Sequence, residues 1–231
     1  MNEVDRMQLE DKDIFIVVGA SRTGKGTLLA ALRGVNMKYF QRRKVENTAI
    51  GKEATQNCFM APVDKDGNPL YDKIINHSHN SHTLKPKFVT NPPEYADDYC
   101  GLDGIYSVDY PGMFESKGPE LDAALYLSLQ RILLTAKSAK VLILVSAQYF
   151  LPDAAKMITA VLTKLKLMFK EPEKHLIIGI TKTKMVEMTL GDEEEVLAKA
   201  QGEGNETVSF KGYKCIIVEQ DETESLQEVV K

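Results

Sequence analysis

Gly19-Ala20-Ser21-Arg22-Thr23-Gly24-Lys25-Gly26-Thr27 is the stretch that decides how this chain is read. It follows the apolar run Ile14-Phe15-Ile16-Val17-Val18 and leads into Leu28-Leu29-Ala30-Ala31-Leu32. A strand, a glycine-punctuated loop, a lysine and a helix therefore succeed one another, which is the context a phosphate-binding loop requires. The glycines let the backbone turn its amides inward, and the start of the helix adds partial positive charge where phosphate oxygens would sit. Lys25 can then reach terminal phosphates as a compact point charge. Each residue of the stretch is a candidate ligand contact: Gly19, Ala20, Ser21, Arg22, Thr23, Gly24, Lys25, Gly26 and Thr27. The competing reading is a tight strand-to-helix turn that happens to hold a lysine.

The spelling departs from the usual pattern at one place. GxxxxGK[ST] puts a hydroxyl directly after the lysine, where it ligates magnesium. Here that residue is Gly26, and the hydroxyl comes one position later, at Thr27. The GKGT spelling resembles that of adenylate kinases and related nucleotide kinases, whereas most GTPases carry GKS or GKT. The loop alone thus implies a nucleoside triphosphate without fixing the class of protein.

The 231 residues suit one large domain, 43% of them are hydrophobic, and the formal charge is −4. This composition supports a substantial core and gives no reason to expect nucleic acid or an anionic membrane as the main partner. The longest apolar run, Val141-Leu142-Ile143-Leu144-Val145, is far short of the roughly 20 residues that span a bilayer. The charged start of the chain lacks the apolar core of a signal peptide. Three scattered cysteines, Cys58, Cys100 and Cys215, suit reduced thiols and a cytoplasmic location rather than a disulfide framework.

Short β-branched runs alternate with longer helical ones. Strands are expected at 13–18, 57–63, 104–109, 140–146, 175–181 and 213–218. Helices are expected at 27–34, 119–137, 152–170 and near 192–200, where Glu193-Glu194-Glu195 suits the positive end of the dipole. The runs at 141–145 and 176–180 are apolar throughout, as parallel strands buried on both faces should be. The expected fold is α/β: a three-layer sandwich with a mostly parallel sheet of about six strands and helices on both faces. Residues 1–12 read as a tail and 13–231 as a single domain, with an irregular, polar excursion at about 65–100 that contains an Asp66-Gly67 turn. Ligands of such sheets bind at the carboxyl ends of the strands, where the motifs fall.

The second motif narrows the class. Gly104-Ile105-Tyr106-Ser107-Val108-Asp109-Tyr110-Pro111-Gly112 is an apolar strand ending in Asp-x-Pro-Gly. With the loop, it resembles the GTPases of the P-loop superfamily, whose third signature is DxxG, and nucleotide kinases lack it. The resemblance implies that Asp109 holds magnesium, usually through water, and that the Gly112 amide senses the terminal phosphate. It also implies a first switch threonine between the loop helix and Asp109. Thr48 and Thr55 are the candidates. Lys52-Glu53-Ala54-Thr55-Gln56-Asn57-Cys58 resembles the switch of septin-like and immune-associated GTPases, so Thr55 is preferred, as a magnesium ligand and catalytic group. A polar residue opening a strand reads equally well there.

Other positions depart from the family. Its guanine reader, [NT]KxD, corresponds to Thr181-Lys182-Thr183-Lys184. Thr181 and Lys182 match, but Lys184 replaces the aspartate, and an ammonium cannot accept the hydrogen bonds that guanine N1 and N2 offer. Glu187 lies nearby without a spacing that demands it. Glu219-Gln220-Asp221 does not match the last signature. Met113 stands where many small GTPases keep a water-orienting glutamine. Arg22 could neutralise phosphate charge, or could simply be a solvated loop residue. His77, His79 and His82 form an HxHxxH cluster with no carboxylate or cysteine nearby to complete a metal site.

The resemblance therefore implies a protein that binds GTP or GDP with Mg2+, ATP not being excluded, and hydrolyses slowly as a switch or assembly module. In that reading Lys25, Thr55 and Gly112 carry the chemistry, and Thr27, Thr55 and Asp109 place the metal. A homodimer across the nucleotide face is implied by the septin-like relatives. The alternatives are a degenerate, non-hydrolysing structural relative and, from GKGT, a nucleotide kinase.

Overall fold

The structure, a computed structural model, describes residues 8–20, 23–32, 37–41, 58–63, 66–67, 86–88, 105–112, 118–150, 162–163, 165–183, 192–201, 210 and 212–218. The strands are β1 (Asp13–Gly19), β2 (Met37–Gln41), β3 (Cys58–Pro62), β4 (Lys87–Phe88), β5 (Ile105–Asp109), β6 (Ser138–Ser146), β7 (Leu176–Thr181) and β8 (Lys214–Ile217). The helices of eight or more residues are α1 (Lys25–Leu32), α2 (Pro119–Thr135) and α3 (Glu193–Ala200), and a single helical turn, Pro172–His175, precedes β7. A six-stranded sheet has the order β4-β5-β1-β6-β7-β8. Every pairing in it is parallel except the short β4–β5 contact. The α/β fold with a mostly parallel sheet is thus the one expected.

The apolar runs account for the layers. Alternate residues of β1 bury opposite faces of the sheet, as a strand's period of two requires. Phe15 and Val17 join Leu28, Leu29 and Leu32 of α1, Leu142 and Leu144 of β6, and Val218. Ile14, Ile16 and Val18 join Leu125, Leu129 and Ile132 of α2, Val196 and Ala200 of α3, and Leu162 and Leu165. Leu9, within the expected tail, is 1% exposed and belongs to this second cluster.

Helix α2 begins as its sequence suggests. Gly118 has a φ of 103°, Pro119 occupies the first turn, and Glu120 and Asp122 lie near the positive end of the dipole. In α3 the Asp192 carboxylate accepts the Glu195 amide at 3.0 Å, capping the helix start.

One expectation differs from the structure, and another falls mostly outside the described residues. The run at 57–63 does form a strand, but β3 pairs antiparallel with β2 in a separate two-stranded sheet. Pro62 has no amide to give a ladder, which suits an outer pair better than a central strand. The place beside β5 is taken by Lys87–Phe88, inside the polar excursion. The helix expected at 152–170 lies mostly outside the described residues. Its visible part is helical at 162–163 and 165–166, then turns at Leu167 and Met168.

The register of the central strands brings two glycines against one leucine. Leu144 of β6 stands between Gly19 on β1 and Gly179 on β7. A Cβ on Gly19 would lie 2.5 Å from the Leu144 carbonyl oxygen. A Cβ on Gly179 would lie 2.9 Å from Leu144 Cδ2 and Val218 Cγ2.

Candidate functional site

The chemistry-bearing side chains gather on one edge of the sheet. Eight polar or charged side chains are buried among the described residues, and only Ser107 lies in mid-strand. Thr23, Lys25 and Thr27 belong to the loop and the start of α1. Asp109, Ser146 and Thr181 end β5, β6 and β7, and Thr183 follows. Burying polar groups is costly unless they find partners. Their concentration at the carboxyl edge, where open α/β sheets bind ligands, marks that edge as the candidate site.

The loop is shaped by its glycines. Gly19 has a φ of 153° and Gly24 a φ of 94°, and the Leu28 amide donates to the Gly24 carbonyl at 2.9 Å to close the first turn of α1. The Thr23 hydroxyl donates to the Ala20 carbonyl at 2.9 Å. Lys25, only 8% exposed, donates from Nζ to the carbonyls of Ala20 at 2.7 Å and Gly19 at 3.1 Å. The ammonium is therefore held at the root of the loop.

The far side of the edge is tied to this loop. Thr181 donates its hydroxyl to the Thr23 carbonyl at 3.1 Å, with the Val145 carbonyl at 3.4 Å as a second acceptor. Lys182 then takes a left-handed φ of 62°. For a residue with a side chain that costs on the order of 1 kcal/mol, and such strain concentrates at ligand sites. Thr183 beside it is buried.

Asp109 ends β5 opposite Val17 of β1, so its carboxylate belongs to the same edge as the loop. Tyr110 next to it is fully buried, its hydroxyl bonded to Ser128 Oγ at 2.7 Å and to the Leu125 carbonyl of α2. Burial pushes this phenol well above its ordinary value, against the smaller effect of Ser128. Pro111 and Gly112 are buried as well, so the Asp-x-Pro-Gly segment is anchored to α2 through its second residue.

No protein-family model matches the chain, and no curated protein matches it. Solved structures do resemble it. The G domain of the T. maritima FeoB iron transporter is 15% identical, with a TM-score of 0.44 over 95% of this chain and 96% of that one. An S. thermophilus NFeoB variant bound to GDP is 10% identical, with a TM-score of 0.43 over 94% of this chain and 60% of that one. Nucleolar GTP-binding protein 1 from Plasmodium falciparum is 12% identical, with a TM-score of 0.40 over 96% of this chain and 87% of that one.

Of the residues expected at the site, Gly19, Ala20, Thr23, Gly24, Lys25, Gly26, Thr27, Asp109, Gly112, Thr181 and Lys182 all lie at this edge. Ser21, Arg22 and Thr55 lie outside the described residues, as do Thr48, Met113, Lys184, Glu187, the three histidines at 77, 79 and 82, and 219–221. Two members of the edge have no counterpart among the expected site residues. Ser146 ends the most apolar run of the chain, and its buried hydroxyl has no hydrogen-bond partner among the described residues. That abrupt polar residue after five apolar ones was the available signal. Thr183 lies within the Thr181–Lys184 motif but has no role in it.

Magnesium is tested by the donors themselves. Among the described residues no group of three His, Cys, Asp or Glu side chains could hold a metal. Asp109 is the one carboxylate of the edge among those residues, and the residue after Lys25 supplies no side-chain oxygen. The donors among the described residues, Asp109 across the edge and no side-chain oxygen directly after Lys25, do not by themselves fit an ion held tightly at the start of α1.

No helix among the described residues is long and apolar enough to cross a membrane.

Proposed function

We propose that this chain is a nucleoside polyphosphate-binding domain of the P-loop GTPase type, guanine nucleotides being the first candidates. It acts as a switch or assembly module with slow hydrolysis. The observation that carries the reading is the buried Lys25 ammonium at the root of a glycine loop on the carboxyl edge of a parallel sheet. Loop amides and the start of α1 would receive the phosphates, and Lys25 would neutralise them. The anchored Asp109–Gly112 segment supports a role in sensing the ligand, because a bound phosphate there would be felt by α2 through Tyr110. Slow turnover follows from Met113, which cannot orient an attacking water.

Titration calorimetry with GTP, GDP, ATP and ADP tests this. Binding tighter than millimolar, with guanine nucleotides ahead, is the expected result, and failure of all four to bind would overturn it. Light scattering with and without nucleotide tests the homodimer that belongs to the same proposal.

A second reading, a non-hydrolysing structural relative, is favoured by Gly26, Met113 and Lys184 together. Single-turnover hydrolysis separates it from the first: nucleotide that binds and is never cleaved selects the structural role.

A further inference from the structure

Gly26 has no structural reason to be glycine. Its φ is not among the positive values, so the backbone does not require one. Among the described residues no heavy atom outside its own turn lies within 4 Å of where its Cβ would stand, so none of them excludes a side chain. The fold accommodates at this point the very hydroxyl that the chain omits.

Thr27 does not replace it. Successive residues of a helix are about 100° apart around its axis. Thr27 is 8% exposed, while Gly26 opens onto free space. A hydroxyl on the packed side of α1 cannot also serve the open side. Among the described residues Asp109 alone remains across the edge, and magnesium is usually held by one or two carboxylates with waters and substrate phosphates in near-octahedral array. With one carboxylate across the edge among the described residues and no hydroxyl on the residue after Lys25, neutralising the phosphates falls to Lys25 and the loop amides.

We propose that this site holds its nucleoside polyphosphate with an affinity that does not depend on magnesium, because Gly26 leaves open the position from which a side chain would engage the ion. The inference rests on the nucleotide reading of the site and deepens it.

The test is calorimetry of GDP and of a non-hydrolysable GTP analogue, each in magnesium and in EDTA, on the wild-type chain and on Gly26→Ser. For the wild type the two dissociation constants should agree within about threefold. For Gly26→Ser, which adds the missing hydroxyl in open space, the triphosphate analogue should bind about tenfold or more tighter in magnesium than in EDTA. Circular dichroism establishes that the variant is folded. Wild-type binding that collapses in EDTA overturns the magnesium-independent reading and leaves nucleotide binding standing. No binding in either medium overturns the nucleotide reading and this one with it. A folded Gly26→Ser variant that binds equally in both media overturns the assignment to Gly26.

Discussion

Thr181, the last residue of β7, donates its hydroxyl to the carbonyl of Thr23 in the loop after β1, 158 positions earlier in the chain. A single proton thereby joins the two halves of the candidate site. Thr181→Val keeps the shape and removes that proton. It should destabilise the fold by about 1–2 kcal/mol, the cost of a buried hydrogen bond lost to an apolar isostere. Nucleotide affinity should fall alongside, and Thr181→Ser should restore much of both. Urea melts and calorimetry on the two variants decide it.

Lys25 supplies the charge of the loop and also two hydrogen bonds to it. Lys25→Met retains the buried stem and loses both functions. Affinity for a nucleoside diphosphate should drop roughly 10- to 100-fold, the range expected when a charge-assisted contact of about 1.5–3 kcal/mol is lost. Circular dichroism should remain that of the wild type. Unchanged affinity would remove Lys25 from the site.

Two glycines of one loop should answer oppositely to alanine. At Gly19 the new Cβ would collide with the Leu144 carbonyl, so Gly19→Ala should cost about 2 kcal/mol or more and lower the melting temperature. At Gly26 the described residues leave space and φ is not positive, so Gly26→Ala should be tolerated and gain up to about 0.5 kcal/mol, less than in mid-helix. Thermal melts of the two variants side by side give the comparison.

Lys182 sits in a left-handed conformation that a glycine would adopt without strain. Lys182→Gly should therefore stabilise the fold by up to about 1 kcal/mol while weakening nucleotide binding. Stability and affinity moving in opposite directions is the signature of strain kept for function. If both improve, Lys182 has no part in binding.

Alkaline pH should unfold the protein early. Burial lifts the Cys215 thiol from 9.0 to about 11, opposed by the hydrogen bond from Gln201. The unfolded chain then loses this proton near pH 9, while the folded chain keeps it until about pH 11. The stability involved is complete below about pH 9 and is lost as pH rises through that window. Tyr110, raised from 10.0 by burial, adds to the loss in the same direction. Urea midpoints should fall steadily above about pH 9, less steeply in Cys215→Ala. Iodoacetamide at neutral pH should modify the half-buried Cys215 more slowly in the folded chain than in the unfolded one.

How far the fold was readable depended on where hydrophobicity carried the signal. The strands at 13–19, 138–146 and 176–181 have apolar, buried centres, and their parallel arrangement follows from the helices between them. Lys87–Phe88 pairs over two residues only, too short for any periodicity, and Met37–Gln41 has too weak an alternation to stand out. The loop, Asp109 and Thr181 were readable because each falls in a short motif of fixed spacing next to an apolar strand. The Tyr110–Ser128 contact was not, since it depends on which residues the fold makes neighbours across 18 positions.

The crowding around Leu144 is of two kinds. Toward β7 the obstacle to a larger residue at Gly179 is side-chain carbon of Leu144 and Val218, which a smaller neighbour would remove. Toward β1 the obstacle at Gly19 is a main-chain oxygen, and no exchange of side chains anywhere in the protein can move it away. Packing on the β7 side is thus open to compensating change, and a library that varies 144, 179 and 218 together should yield folded proteins with other residues at 179. The same library extended to 19 should return glycine alone. The floor beneath the loop is set by peptide geometry, and the freedom to drift begins one strand further out.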